Sequence, residues 1–172
     1  MNLDFIRRTW AEIDLDAIAH NYYEIRKKIK PDTKMCCVVK ADAYGHGAAT
    51  IAREYEALGA GWLAVSNLEE AEETRGAGVR LPVLILGYTP PSEAGLLVRW
   101  RLTQAVVDEP YARQLAAQGR RVRVQLAADT GMHRLGVPAS ELASFRRIYR
   151  LPRLRFTGLF SHLCAANSFE PS

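Results

Sequence analysis

Short apolar runs alternate with longer amphipathic segments along most of the chain. Each run is about one buried strand in length, and the segments between them repeat apolar residues at helical spacing. The predicted strands are residues 35–39, 61–66, 81–87, 102–107, 122–127 and 156–161. The predicted helices between them are residues 48–58, 67–76, 93–99, 108–119 and 139–149. Because the runs are apolar on both faces, they indicate parallel strands that are buried on both sides.

The chain before these strands has a different pattern. Residues 9–15 alternate apolar and polar side chains, which predicts a strand with one buried face. Asp16 is a residue type that caps helix N-termini, and a helix is predicted from there to a stop at Pro31. The apolar stripe of that helix consists of Ile18, Tyr22, Ile25 and Ile29. Farther along, Asn67 with Glu70 three residues later predicts a capping box.

Strands that alternate with helices predict an α/β fold, either an open doubly wound sheet or a (β/α)8 TIM-type barrel. Lys40, Asp129 and His162 each follow a predicted strand, and barrel active sites are built at the C-terminal ends of strands. We therefore predict a barrel that is incomplete here, with about six of its eight strands. The predicted division is an N-terminal strand segment, residues 1–15, and a partial barrel, residues 16–172.

Composition narrows the class of protein. The chain has 172 residues, of which 48% are hydrophobic and 24% charged. This length is enough to form one hydrophobic core. It lacks an apolar stretch of about 18 residues and the apolar segment of a signal peptide, so a cytoplasmic protein without a membrane segment is expected. The net charge of +4 suits an anionic ligand. The arginine-rich stretches 120–123 and 146–147 are not interleaved with aromatics, which argues against nucleic-acid binding.

The three cysteines, Cys36, Cys37 and Cys164, lack the spacing of metal ligands. We expect them to be reduced, buried and apolar in character, and we predict no metal site. Because neighbouring residues of a strand face opposite sides, Cys36 and Cys37 should point in opposite directions.

The clearest candidate for chemistry is Lys40, which ends the strand 35–39. A lysine at the mouth of a sheet is well placed to act as a Schiff-base nucleophile, although a lysine at a strand end also extends readily to water. Residues 40–47 read Lys-Ala-Asp-Ala-Tyr-Gly-His-Gly. This string resembles the pyridoxal 5'-phosphate (PLP) signature of the alanine racemase family (fold type III), in which the lysine forms the internal aldimine with the cofactor.

The resemblance implies roles for other residues of the same string. In the family the tyrosine of this motif contacts the cofactor phosphate, and here it is Tyr44. Without the resemblance, an aromatic ring packed over the strand ends is an equal interpretation. We interpret Asp42 and His46 as structural residues that fix the loop through side-chain to backbone hydrogen bonds.

A second string, residues 129–136, reads Asp-Thr-Gly-Met-His-Arg-Leu-Gly and resembles the family segment whose arginine binds the phenolic oxygen of the cofactor. That arginine is Arg134, and a loop salt bridge is the alternative interpretation. Many family members carry a modified lysine two residues before the aspartate, where this chain has Ala127. Either another group or an anion then holds Arg134, or the site is less well organised.

The third position is His162, which the resemblance places against the cofactor ring, although a lone histidine at a strand end is more often structural. The family also implies a homodimer, a small amino acid substrate and a β-rich C-terminal domain. That domain supplies a second base, a tyrosine of the partner subunit. We expect this chain to correspond to the N-terminal barrel portion alone.

The resemblance implies a PLP-dependent racemase, an isomerase that interconverts L- and D-alanine with Lys40 as the base on one face. We expect the chain to be inactive as an isolated fragment. A serine racemase of the same family is the enzymatic alternative. Two further interpretations stay open: a non-catalytic PLP-binding fragment, whose open sheet edges would favour association, and a stand-alone PLP-binding barrel. A coding sequence that continues past Ser172 would favour the racemase.

Overall fold

The structure is a computed structural model in which residues 10–166 are described. Its strands are β1 (Cys36–Val38), β2 (Trp62–Val65), β3 (Val83–Ile85), β4 (Thr103–Val106), β5 (Val122–Asp129), β6 (Val137–Pro138) and β7 (Leu154–Ser161). Its helices are α1 (Leu15–Lys28), α2 (Lys40–Gly45), α3 (Ala48–Ala57), α4 (Leu68–Gly76), α5 (Ala94–Arg99), α6 (Glu109–Ala117) and α7 (Leu142–Tyr149). A single 3₁₀ turn, Pro91–Glu93, precedes α5. Across the described residues, no helix combines the length and apolar character needed to cross a membrane.

The strands form one parallel sheet in the order β1-β2-β3-β4-β5, with β7 on the other side of β5. Each long strand therefore lies next to its neighbour in sequence. A doubly wound sheet reverses its strand order partway across, so this order identifies a barrel that has not closed. The expected α/β fold, an incomplete TIM-like barrel, is confirmed, and so are all six strands predicted for it.

The short strand β6 is a feature that the sequence pattern did not predict. It pairs with Ala128 and Asp129 at the end of β5. On its other side Ala128 pairs with Ser161 of β7, so β6 occupies the edge of β5 that lies beyond the end of β4. The segment between β5 and β6 consequently returns to the sheet and forms a closed loop at the C-terminal end of β5.

The two faces of β5 show how the barrel separates its core from its site. Val122, Val124 and Leu126 are fully buried and belong to the main hydrophobic core, which the helices cover. Burial of one such aliphatic side chain contributes about 1.5–3 kcal/mol. Ala127 and Asp129 alternate with the core residues and line a cavity at the C-terminal end of the strand. Strand alternation therefore places the candidate chemistry on the face opposite to the helices.

The N-terminal predictions are partly wrong. Residues 10–14 form no strand and are mostly exposed, and residues 1–9 lie outside the described part of the chain. The cap of α1 is Asp14 and not Asp16, because the Asp14 carboxylate accepts hydrogen bonds from the backbone N–H groups of Asp16 and Ala17 at 2.9 and 3.1 Å. The division of the chain after residue 15 stays a prediction.

The cysteine prediction also needs correction. All three thiols are free, but only Cys37 is buried, whereas Cys36 and Cys164 are exposed. Cys36 and Cys37 do face opposite sides of β1, as strand alternation predicts. Burial raises the pKa of the Cys37 thiol to about 11, so this group is uncharged at neutral pH.

Candidate active site

A cavity of about 270 Å³ lies at the C-terminal ends of the strands. It is lined by all four residues predicted for the site, which are Lys40, Tyr44, Arg134 and His162. These residues come from three separate parts of the chain, namely the loop after β1, the β5–β6 loop and the end of β7. The structure therefore brings the four side chains together, while their individual roles stay predictions.

The loop that carries Lys40 is a left-handed helical turn. Four consecutive non-glycine residues, Ala41 to Tyr44, have φ between 50° and 56°. For L-residues this conformation costs roughly 1–2 kcal/mol each, so it persists only where surrounding contacts fix it. The sequence indicates a loop here, but nothing in its residues indicates that non-glycine positions adopt the left-handed form.

Several hydrogen bonds fix this turn. The carboxylate of Asp42 accepts the backbone N–H of Ala48, the first residue of α3, at 2.6 Å. His46 Nδ1 lies 2.9 Å from the carbonyl oxygen of Ala43, and the Ala43 N–H donates to the Val39 carbonyl at 2.9 Å. The prediction that Asp42 and His46 fix the loop through backbone hydrogen bonds is confirmed.

Tyr44 projects from this turn beside Lys40. Its side chain is 61% exposed, so it is not buried by packing over the strand ends. The Lys40 Nζ lies 6.0 Å from the centre of the Tyr44 ring, at the outer limit of a cation–π contact. The phenol and the amine therefore share the cavity wall, and the phenol hydroxyl remains available to a ligand.

Asp129 organises the β5–β6 loop. Its carboxylate accepts the backbone N–H groups of Gly131 and His133 at 2.9 and 3.0 Å and pairs with His133 Nδ1 at 3.0 Å. The backbone N–H groups of Gly131 and then His133 lower the pKa of this carboxyl below its ordinary value. Gly131 and Gly136 have φ of 128° and 121°, a backbone region that glycine adopts readily and that permits the loop to turn tightly.

Arg134 extends from this loop to the cavity. Within residues 10–166 its side chain makes no ion pair, so the alternative of a loop salt bridge is not supported. Ala127, at the position where many family members carry a lysine, is buried and contributes a methyl group to the cavity wall. The loop is tied to β7 by a hydrogen bond of 2.6 Å between the hydroxyls of Thr130 and Ser161.

We expect Asp129→Asn to lower the thermal unfolding midpoint by a few degrees at pH 7. The folded-state pKa of Asp129 lies below its unfolded value, so the ionised group stabilises the fold above the unfolded pKa of about 3.9. This contribution is lost as the pH falls through the folded pKa. The difference between variant and wild type should therefore narrow below about pH 4. Asp32→Asn, an exposed control, should show neither effect, and a gap for Asp129→Asn that is independent of pH would contradict the assignment.

The sequence did not identify several residues of the cavity wall. Phe160, near the end of β7, lies two residues before His162 and lines the same cavity, so the two-residue period of a strand could have found it. Gly87 follows β3, and a Cβ atom there would lie 2.5 Å from the Ser66 carbonyl oxygen. The close approach of these strand ends therefore requires glycine. The buried side chain of Gln104 donates to the Gly87 carbonyl at 2.7 Å and holds this segment in place.

The donor set fits PLP. An amine can bond to its aldehyde, a phenol can donate to a phosphate oxygen, and a guanidinium can hold an anionic oxygen. The cavity volume, about 270 Å³, lies just below the range of about 300–1,000 Å³ that is usual for small-molecule sites. In residues 10–166 no group of three or more His, Cys, Asp and Glu side chains is placed to hold a metal ion.

Comparison with known proteins identifies the family. The sequence profile described as alanine racemase, N-terminal domain, matches residues 13–172. The alanine racemase of Desulfovibrio desulfuricans is 42% identical over 98% of this chain and 47% of that protein. The serine/alanine racemase of Enterococcus gallinarum is 40% identical over 96% of this chain and 24% of that protein.

Solved structures agree. The alanine racemase of Bacillus anthracis, whose structure contains bound L-Ala-P, superposes with a TM-score of 0.89 at 32% identity. The match covers 96% of this chain and 44% of that one. This chain thus spans less than half the length of these relatives, and it belongs to the alanine racemase family, matching its N-terminal barrel domain.

Proposed function

We propose that this chain provides the cofactor-binding part of a PLP-dependent alanine racemase, an isomerase that interconverts L- and D-alanine. The observation that carries the proposal is the position of Lys40, Tyr44, Arg134 and His162 around one cavity at the strand ends. Family membership supports it, because the curated relatives that match over nearly the whole chain are named as racemases.

The family resemblance implies a role for each residue, and the chemistry of its side chain is compatible with that role. When bound, PLP supplies the electron sink that makes the α-proton of an amino acid removable. Lys40 Nζ would hold the cofactor at its aldehyde carbon and, once the substrate amine has displaced it, would hold the proton on one face of the α-carbon. Tyr44 would donate to the phosphate, Arg134 would bind the phenolic oxygen, and His162 would contact the ring.

Racemisation also needs a proton-transfer group on the opposite face of the α-carbon. None of the other residues proposed for the site has this role. We infer that the second base comes from a further domain of a partner subunit, in a homodimer, and that the protein acts in the cytoplasm. The 172-residue chain alone then has negligible racemase activity.

Serine is a second candidate substrate, because the serine/alanine racemase matches this chain at nearly the same identity as the alanine racemases.

A non-catalytic PLP-binding fragment is a second candidate function. Its support is the pair of sheet edges at β1 and β7, which no strand of the described residues covers and which favour association with further chains.

The test separates cofactor capture from turnover. We expect the purified chain with PLP to give a covalent adduct on Lys40 after borohydride reduction, located by peptide mass spectrometry. With L-alanine as substrate, chiral chromatography should detect no more D-alanine than PLP alone produces. Adduct without turnover supports the proposal. Absence of adduct would contradict PLP binding by this chain, and clear turnover would contradict its inactivity in isolation.

A further inference from the structure

Glu70, in the first turn of α4, uses both carboxylate oxygens to bind main-chain N–H groups from two different segments. Oε1 accepts the N–H of Ala41 at 2.9 Å, and Oε2 accepts the N–H of Ser66 at 2.7 Å. Ala41 follows Lys40 directly, and Ser66 lies at the end of β2 on the cavity wall. A single side chain therefore joins the Lys40 loop to the neighbouring strand end.

This arrangement differs from the capping box that the sequence predicted. The Asn67 side chain does accept the N–H of Glu70 at 2.9 Å, which is one half of that motif. In the other half, the glutamate would bond back to the N–H of the cap residue. Here the carboxylate binds Ser66 and Ala41 instead. Helix capping therefore does not account for the position of the Glu70 side chain.

The bond to Ala41 has a particular consequence because of the backbone conformation there. Ala41 is the first residue of the left-handed turn, with φ of 50° and ψ of 52°. The bonds made by Asp42 and His46 act on the middle and far end of the turn. Glu70 instead holds the peptide that links Lys40 to the turn. Hydrogen bonds to a charged acceptor are stronger than those between neutral groups, so this contact can offset part of the cost of the turn.

We propose that Glu70 is a positioning residue for Lys40: it fixes the Lys40–Ala41 peptide and thereby aims the Lys40 amine into the cavity. The proposal rests on the proposed function, since it assigns the purpose of the contact to cofactor capture. Glu70 itself is absent from the cavity wall, so it acts through Lys40 and not on the ligand.

The test measures how fast Lys40 captures PLP. The rate of borohydride-trapped adduct formation is compared among wild type, Glu70→Gln, Glu70→Asp and the control Glu69→Gln, well below the unfolding temperature of each. Glutamine has one acceptor oxygen, so one of the two N–H groups loses its partner and faces an amide NH₂ group. Aspartate keeps the charge at the helix N-terminus, but its shorter side chain cannot reach both N–H groups.

We expect capture to slow about 10- to 100-fold in both Glu70 variants, because a small displacement of a reacting group has effects of this size. Glu69 is exposed and adjacent, so Glu69→Gln should react at the wild-type rate. Hydrogen exchange at the Ala41 and Ser66 amides should accelerate in Glu70→Gln and remain unchanged in the control. A purely structural role would lower the unfolding temperature and leave the capture rate unchanged.

The outcomes distinguish this proposal from the proposed function. If wild type captures PLP and the Glu70 variants do so at the same rate, the positioning role is wrong and the proposed function stands. If wild type captures no PLP at Lys40, the proposed function is wrong and the positioning role falls with it. If one Glu70 variant fails to fold, the remaining one carries the comparison, since each removes a different feature of the carboxylate.

Discussion

Replacing Lys40 with alanine is expected to reduce covalent capture of PLP to background, at least about 100-fold below wild type. Lys40 is the lysine on the wall of the strand-end cavity, and its Nζ lies beside the Tyr44 ring. An alanine has no nucleophile to form the C–N bond. The proposed role of Lys40 in proton transfer predicts a further loss of about 10²- to 10⁴-fold in turnover by a complete enzyme.

The measurement is the yield of reduced adduct, mapped by mass spectrometry, and two further variants make it specific. Lys34→Ala removes an exposed lysine just before the other end of β1 and should leave the yield unchanged. Lys40→Arg keeps a positive charge but not a reactive amine, so it should behave like alanine if nucleophilic chemistry is the cause. Full adduct yield in Lys40→Ala would show that another amine reacts and would overturn the assignment.

Much of the fold was predictable because its strands are nearly continuous apolar runs. Both faces of a parallel strand are covered inside an α/β barrel, so strands such as β3, in which every residue is buried, are evident from hydrophobicity alone. The errors arose where a pattern had two explanations. Residues 10–14 alternate apolar and polar side chains as a strand does, but no described strand pairs with them. Asp14 and Asp16 are both suitable N-caps for α1, and in the structure the cap is Asp14.

The short strand β6 was missed for a different reason. Its two residues, Val137 and Pro138, give no recognisable period, and a proline argues against a strand interior. The strand exists because the loop that begins at Asp129 must return to the edge of β5, which is a tertiary requirement. Patterns that depend on contacts between distant segments are not visible in a local window of sequence.

The same distinction applies to the site. Lys40 and Arg134 were found because they stand in recognisable strings at strand ends, and the structure brings both to one cavity. Glu70 was assigned to a local capping motif, whereas one of its oxygens binds Ala41, which lies 29 residues earlier in the chain. The left-handed turn was equally hidden, because alanine and tyrosine carry no sequence signal for a positive φ.

Ala127 on the cavity wall also shows that a sequence motif alone does not reveal which contacts hold its residues in place. The β5–β6 loop is held by Asp129 and by the Thr130–Ser161 hydrogen bond. Both contacts act on the backbone of the loop or on its first residues. Neither contact reaches the guanidinium of Arg134. The structure therefore accounts for the position of the loop without a lysine at residue 127, while the orientation of the Arg134 side chain is left to the ligand or to other parts of the protein.

Replacing Gly136 with alanine is expected to destabilise the fold by about 2–5 kcal/mol, a large fraction of the stability of a typical domain. Gly136 has φ of 121°, a region that L-residues rarely adopt. A Cβ atom there would lie 2.8 Å from the Asp129 nitrogen and 3.1 Å from the Ala127 carbonyl oxygen. Both neighbours are backbone of β5, which cannot move aside without breaking its pairing with β7.

The matched control is Gly95→Ala, and denaturant unfolding followed by circular dichroism measures both variants. Gly95 lies in α5, is exposed, and would place its Cβ atom in open space. Gly95 is the second residue of α5, and alanine there should stabilise the fold by up to about 0.5–1 kcal/mol, since helical residues favour alanine over glycine. The two substitutions are chemically identical and should have opposite signs. A Gly136→Ala variant as stable as wild type would mean that the β5–β6 loop does not approach β5 as closely as described.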